Sequence, residues 1–305
     1  MRPYNEIVIE YKIIKGEVKV KSLFKKATVM ALTLAVGMSL VAGCGSDKKD
    51  NKAASTKVEG KISASGSTAL LPLLKVGQEE FYKKHDKVTI NLSGGGSFTG
   101  QKQAAAGSVD IGNSDVALGA DLKDKGMVET KLVGIPFVFI ANKDVPVDNL
   151  SAQQYVDILT GKIKNWKEVG GKDQQITLVH RAKSSGSRAT IADVVLKGAE
   201  FTDAAVIQDS NGAVRSAIAT TPGAIGYVDA AYVDNSVKAL SYDGVKYSIA
   251  AVIDGKYPVY TFGRMFTKGE PKGAVKAFID YVTSPEFQNA NAEKQGFVPI
   301  TKMKK

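Results

Sequence analysis

Three short loops gather hydroxyl, glycine and cationic residues in a pattern able to hold an anion. They are Ala64-Ser65-Gly66-Ser67-Thr68-Ala69, then Leu92-Ser93-Gly94-Gly95-Gly96-Ser97-Phe98-Thr99-Gly100, and Arg181-Ala182-Lys183-Ser184-Ser185-Gly186-Ser187-Arg188. Each follows an apolar, strand-like run and precedes a helical pattern. In that setting backbone N–H groups and hydroxyls converge at a helix N-terminus, whose dipole favours negative charge. Glycine lets the backbone come close to a ligand. One such loop reads equally well as a helix N-cap. Three of them, one led by Arg181, favour an anion site while leaving the capping role open.

Other chemistries lack their residues. The Gly95–Gly100 stretch continues as Gln101-Lys102, so the Gly-Lys-Ser/Thr ending of a nucleotide-binding loop is missing. No G-x-S-x-G nucleophile elbow occurs. The histidines are His85, expected to be solvated in a polar turn, and His180, expected to pack at a strand end. With one cysteine besides, they make no metal cluster, so neither an enzyme nor a cofactor is expected. The formal charge of +10 comes from scattered Lys rather than Arg-rich or aromatic-interleaved blocks, which argues against nucleic acid.

The elements that must position these loops alternate between short apolar strands and helices, the signature of an α/β fold. Strands are expected at 62–65, 88–92, 109–112, 176–179 and 224–228. Helices are expected at 69–84, 100–106, 149–160 with Ser151 as N-cap, 189–197, 214–219 and 274–282. Two long extended runs, 133–142 and 257–267, can carry the chain from one lobe to another and back.

The N-terminal region stands apart. An uncharged apolar run at 28–42 follows Lys19, Lys21, Lys25 and Lys26 and is too short to span a membrane, as expected of an export signal. It ends in Val41-Ala42-Gly43-Cys44, a match to the bacterial lipobox, so Cys44 is expected to be lipidated and to hold the protein at the membrane. Residues 1–17 carry mixed charge unlike a signal and are expected to be a spurious extension ahead of the true start. The polar stretch 44–57 reads as lipidated Cys and flexible tether. Residues 1–43 hold seven Lys and Arg against three Glu, so the remainder keeps +6.

From about residue 61 to 301 the chain resembles the phosphate-binding proteins of bacterial phosphate ABC importers. The resemblance rests on GSTALLPL at 66–73, SGGGSFTGQKQAAAGSVDIGNSDVAL at 93–118 and HRAKSSGSRAT at 180–190. IGYVDAAY at 225–232 and YVTSPEFQNANAEKQGFVPI at 281–300 extend it. It implies a two-lobe periplasmic-binding-protein fold (type II-like), with lobe 1 at 58–138 plus 258–305, lobe 2 at 139–257, and ligand in the cleft. It also implies a monomer whose partners are inorganic phosphate and the membrane permease subunits of the importer.

By the same resemblance Thr68 and Ala69 supply a hydroxyl and an amide, Ser97 a second hydroxyl with Thr99 as alternative, and Asp115 a buried carboxylate. Arg181 is the ligand arginine, and Ser185, Gly186 and Ser187 form the third loop. Phosphate at neutral pH keeps at least one proton, which an ionised Asp115 can accept; sulfate offers none. Arg181 is expected to pair with both Asp115 and the oxyanion. A receptor for another oxyanion, such as sulfate or molybdate, is the alternative that this carboxylate opposes.

Overall fold

The computed structural model describes residues 58–303. The expected signal peptide, lipidation site Cys44 and tether lie outside the described residues.

The chain runs β1 (Gly60–Gly66), α1 (Leu71–Lys84), β2 (Val88–Gly95), α2 (Ser97–Ala106), β3 (Ile111–Ser114) and β4 (Met127–Ala141). Next come β5 (Asn149–Leu150), α3 (Ala152–Leu159), β6 (Thr177–Arg181), α4 (Gly186–Ile191), β7 (Val206–Gln208), α5 (Asn211–Thr220) and β8 (Ala224–Asp229). The last part holds β9 (Lys238–Ala239), β10 (Ser241–Tyr242), α6 (Ile249–Ile253), β11 (Tyr260–Lys268), α7 (Gly273–Thr283), α8 (Pro285–Phe287) and β12 (Val298–Pro299). The expected α/β alternation is present throughout.

The strands follow the order β2-β1-β3-β11-β4-β8-β6-β7. In the first half β1 pairs parallel with β2 and β3, and β11 lies antiparallel between β3 and β4. In the second half β8 pairs antiparallel with β4, and β6 lies parallel between β8 and β7. β4 belongs to both. Its residues Met127 to Pro136 face β11, and Phe137 to Ala141 face β8. Every residue from Leu132 to Ala141 is buried, as the unbroken apolar run requires of a strand covered on both faces. Alternation divides them: Phe137, Phe139 and Ala141 enter the main core, while Val138 and Ile140 pack with Val214, Ile218 and Val228 on the α5 side. The chain returns through Tyr257 to Val259, where Phe137 N–H donates to the Val259 carbonyl at 2.9 Å.

At three boundaries that differ from the expected ones, a local feature accounts for the shift. α1 begins at Leu71 rather than 69, because Ser67 Oγ accepts from Ala69 N at 3.1 Å and Leu70 N at 3.3 Å and holds both in a turn. Pro72, in the first helical turn, suits that start. α2 begins at Ser97 rather than 100, straight after Gly96, whose φ of 93° takes it out of the strand. β3 starts at Ile111 rather than 109; Asp110 instead ties to Ser63 N–H through its carboxylate at 2.8 Å. α3 carries the expected Ser151 cap as a full capping box with Gln154.

Candidate anion-binding site

The parallel strands β1, β2 and β3 deliver their carboxyl ends to one side of the first half, and β6 and β7 deliver theirs to the facing side of the second. Ligands of α/β sheets gather at such ends. Arg181 ends β6, Thr68, Ser97, Asp115 and Ser187 stand just beyond the strand ends, and each of the five is at most 6% exposed.

Asp115 is the centre of the cluster. Ser67 Oγ donates to its Oδ1, and Ser187 Oγ donates to its Oδ2 at 3.0 Å across the cleft. Its backbone N–H donates to Ser97 Oγ at 2.9 Å. Its carbonyl accepts from Thr261 Oγ1 at 2.9 Å and from Arg264 at 3.4 Å, which pins the loop after β3. Burial pushes the Asp115 carboxyl above its usual range; the Ser67 and Ser187 hydroxyls, then the charges of Arg181 and Arg264, pull it back.

Arg181 is placed differently from the expectation. Its Nε donates to the Gln208 carbonyl at 3.2 Å and its Nη2 to the Asp209 carbonyl at 2.8 Å, so β7 and the turn after it hold the guanidinium. It makes no ion pair with Asp115 within the described residues. The link runs through Ser187 Oγ, which accepts from Nη1 at 3.4 Å and donates to Asp115. The reason is geometric: the carbonyls at the end of β7 lie nearest the head of an arginine at the end of β6. Burial lowers the guanidinium pKa and Asp115 raises it back.

The remaining expected residues fall out individually. Thr68 Oγ1 accepts from Asn211 N at 3.3 Å and Asn211 Nδ2 at 3.1 Å. Ser97 is fully buried and its Oγ accepts from the Asp115 backbone N–H, whereas Thr99 is half-buried inside α2. The Ala69 N–H is engaged by Ser67 Oγ. Ser185 caps α4, accepting from Arg188 N at 3.2 Å, so its oxygen serves the helix. Gly186 packs flat against the first half: a Cβ there would lie 2.8 Å from Ser97 Cβ and 2.9 Å from Asp115 Cβ. His180 is buried and stacked on Phe201, as expected of a packing residue. His85, expected to be solvated, is half-buried and its ring lies 4.4 Å from Phe81.

Four residues near the cluster were not singled out from the sequence: Ser67, Asn211, Tyr232 and Arg264. Ser67 lay inside a quoted loop, and its neighbour Thr68 drew the assignment. Tyr232 closed the quoted 225–232 motif without being given a role, and Asn211 and Arg264 come from segments without a recognisable loop pattern.

The halves meet through several direct bonds. Phe98 N–H donates to the Ser184 carbonyl at 3.2 Å, and Tyr232 OH donates to the Thr68 carbonyl at 2.6 Å. With Ser187 to Asp115 and Asn211 to Thr68, these bonds join the two halves around the cluster.

A mixed sheet in two halves, one strand shared between them, and a buried polar cluster where they touch define a solute-receptor fold. In agreement, residues 51–286 match the model of a PBP superfamily domain. The chain belongs to the phosphate-binding protein family: it is 40% identical to the phosphate-binding protein PstS of Bacillus subtilis over 92% of this chain and 96% of that one. PstS of Borreliella burgdorferi is 29% identical over 78% of this chain and 90% of its own. Among solved structures, a phosphate ABC transporter substrate-binding protein from Clostridium perfringens with bound phosphate superposes with a TM-score of 0.76. It is 34% identical and is matched over 79% of this chain and all of its own.

Proposed function

We propose that this chain is the extracytoplasmic receptor of a phosphate ABC importer: it captures inorganic phosphate in the cleft and delivers it to the permease. It is a binding protein and performs no catalysis. The observation that carries the reading is the buried Asp115 carboxyl, set among hydroxyls from both halves and near a buried arginine, in a chain of the phosphate-binding family.

The division of labour follows from donor and acceptor counts. Phosphate oxygens accept from Thr68 and Ser97 hydroxyls on one side and from Arg181 and the Ser185-Gly186-Ser187 loop on the other, with the Ala69 amide available if Ser67 turns away. The phosphate proton goes to Asp115. A carboxylate facing a fully deprotonated anion would set acceptor against acceptor in a dry site, so sulfate is rejected. Ligand touching both halves stabilises the closed form, and the hinge is β4 together with residues 257–259. The lobes are 58–138 with 258–305, and 139–257. We further assign residues up to 43 as the cleaved export signal, and Cys44 as the lipidated anchor followed by a tether to 57.

The test is calorimetric titration of the mature chain, stripped of phosphate, with phosphate and then sulfate. Tight phosphate binding without sulfate heat supports the reading. Equal binding of both anions removes the role given to Asp115, and silence toward both in a folded sample removes the function. For the anchor, Cys44→Ser should release the protein into the medium; retention at the membrane would refute lipidation there.

A further inference from the structure

Four hydroxyls stand around the cluster, and their hydrogen bonds sort them into two kinds. Ser67 and Ser187 each donate to Asp115 and accept from other groups, Ser67 from two amides and Ser187 from Arg181. Their hydrogens are committed to the carboxylate. Thr68 and Ser97 appear in the bonding pattern as acceptors. Ser97 takes the Asp115 N–H, and Thr68 takes two donors at once, the backbone N–H and the side-chain amide of Asn211.

A hydroxyl oxygen has two lone pairs and one hydrogen. With both lone pairs of Thr68 Oγ1 occupied, its hydrogen has to point away from Asn211. Among the described residues it donates to no protein acceptor. The orientation of the Asn211 amide follows from its other side. Asn211 Oδ1 accepts from the Asp229 N–H at 3.0 Å, which leaves Nδ2 facing Thr68. Asn211 is fully buried, and Thr68 is 143 residues away in the sequence and in the opposite half. Tyr232 OH, also from the second half, grips the carbonyl of the same threonine.

We propose that Asn211 is a positioning residue for anion binding: closing the cleft places its two N–H groups on Thr68 Oγ1 and so turns the Thr68 hydroxyl into an obligate donor to the anion. Thr68 is thereby set only when the second half has arrived, which couples closure to completion of the site. This rests on the reading above that the Thr68 hydroxyl contacts phosphate. Asn211 itself need not touch the ligand.

The experiment is a double-substitution cycle on the full mature chain, read as the phosphate dissociation constant, with the unfolding midpoint without phosphate as a control. Thr68→Val removes the hydroxyl and should weaken phosphate binding roughly ten- to hundredfold. Asn211→Ala keeps the backbone N–H on Thr68 Oγ1 but removes the side-chain amide that fills its second lone pair, and should weaken binding about tenfold; Asn211→Ser, whose side chain is too short to reach Thr68, should do the same if the alanine variant does not fold. In the Thr68→Val background either change at Asn211 should cost less than about threefold, because the group it orients is gone. In a Thr68→Ser background, which keeps the hydroxyl, the full effect of Asn211→Ala should return. A purely structural Asn211 would instead weaken binding by the same factor in every background, and that result overturns the proposal. So does wild-type affinity in Asn211→Ala and Asn211→Ser. If Thr68→Val binds phosphate normally, the failure lies with the site assignment on which the proposal rests.

Discussion

Gly186 lies where the two halves touch, and an alanine there separates closure from folding. The added carbon would press first on Ser97 Oγ and stand 2.8 Å from Ser97 Cβ and 2.9 Å from Asp115 Cβ, against about 3.5–4.0 Å for ordinary carbon contacts. The second half has to draw back by roughly 1 Å at this point. That lengthens the Ser187–Asp115 bond now at 3.0 Å and the Phe98–Ser184 bond at 3.2 Å. Overpacking of this kind costs about 1–3 kcal/mol, a loss of roughly 5- to 150-fold in phosphate affinity.

The open chain carries none of this strain. Gly186 is the first residue of α4 and has no unusual dihedral, so alanine is at least as acceptable to the helix. Thermal unfolding with and without phosphate reads both effects. At phosphate a hundredfold above the wild-type dissociation constant, the ligand stabilises by about 2.7 kcal/mol; a thirtyfold weaker variant keeps about 0.9 kcal/mol. Gly186→Ala should therefore unfold like wild type without phosphate and gain much less from it. An unchanged dissociation constant would refute the argument that the observed closed approach is the binding geometry.

Three further substitutions probe the charged groups. Asp115→Asn replaces an acceptor by a group that also donates, so phosphate affinity should fall roughly ten- to a hundredfold while sulfate binding rises, both by titration calorimetry. Arg181→Lys keeps the charge but loses the planar fork that holds the Gln208 and Asp209 carbonyls, and should lose more than about tenfold in phosphate affinity. Asp229 is buried with its Oδ2 unpartnered. Burial pushes its carboxyl well above the ordinary 3.8; the Ala231 N–H opposes this and the charge of Asp115 adds to it. The folded state therefore holds a proton that the unfolded chain releases. This group's contribution to stability falls as pH rises from about 4 toward the raised folded value. Asp229→Asn should flatten that decline in denaturant titrations across pH, and an identical slope in both proteins would refute the assignment.

The sequence carried the parts of the site that are local. Ser97, Asp115 and the Arg181–Ser187 loop each lie within a compact motif, since a strand end, its turn and the following residues are neighbours in both sequence and space. Asn211 had no such signal, and Tyr232, though it ends the 225–232 motif, had nothing to mark its role. Asn211 follows an ordinary Ser210 cap at the start of α5, and Tyr232 lies in a short turn; only the folding of one half against the other brings either to Thr68. The same limit explains Arg181. Pairing with Asp115 was the natural expectation for opposite charges, but the carbonyls of Gln208 and Asp209 compete for the guanidinium, and their proximity follows from the parallel pairing of β6 with β7. The dual character of β4 was legible as a long apolar run, because a strand covered on both faces has no polar alternation to show.

The position of β11 also governs how the chain can reach this state. β3 and β4 are near each other in sequence, yet the strand that joins them, Tyr260–Lys268, is made only after the whole second half, and Thr261 reaches back 146 residues to Asp115. Until then both strands present open edges along the middle of the first sheet. Hairpin-like local pairing cannot finish that sheet, so folding waits on the C-terminal third and proceeds through distant contacts, a slow route. A polypeptide that stays unfinished until nearly all of it is made is well suited to crossing a membrane as an extended thread. The same delay makes any fragment ending before residue 268 prone to aggregate rather than to fold by half.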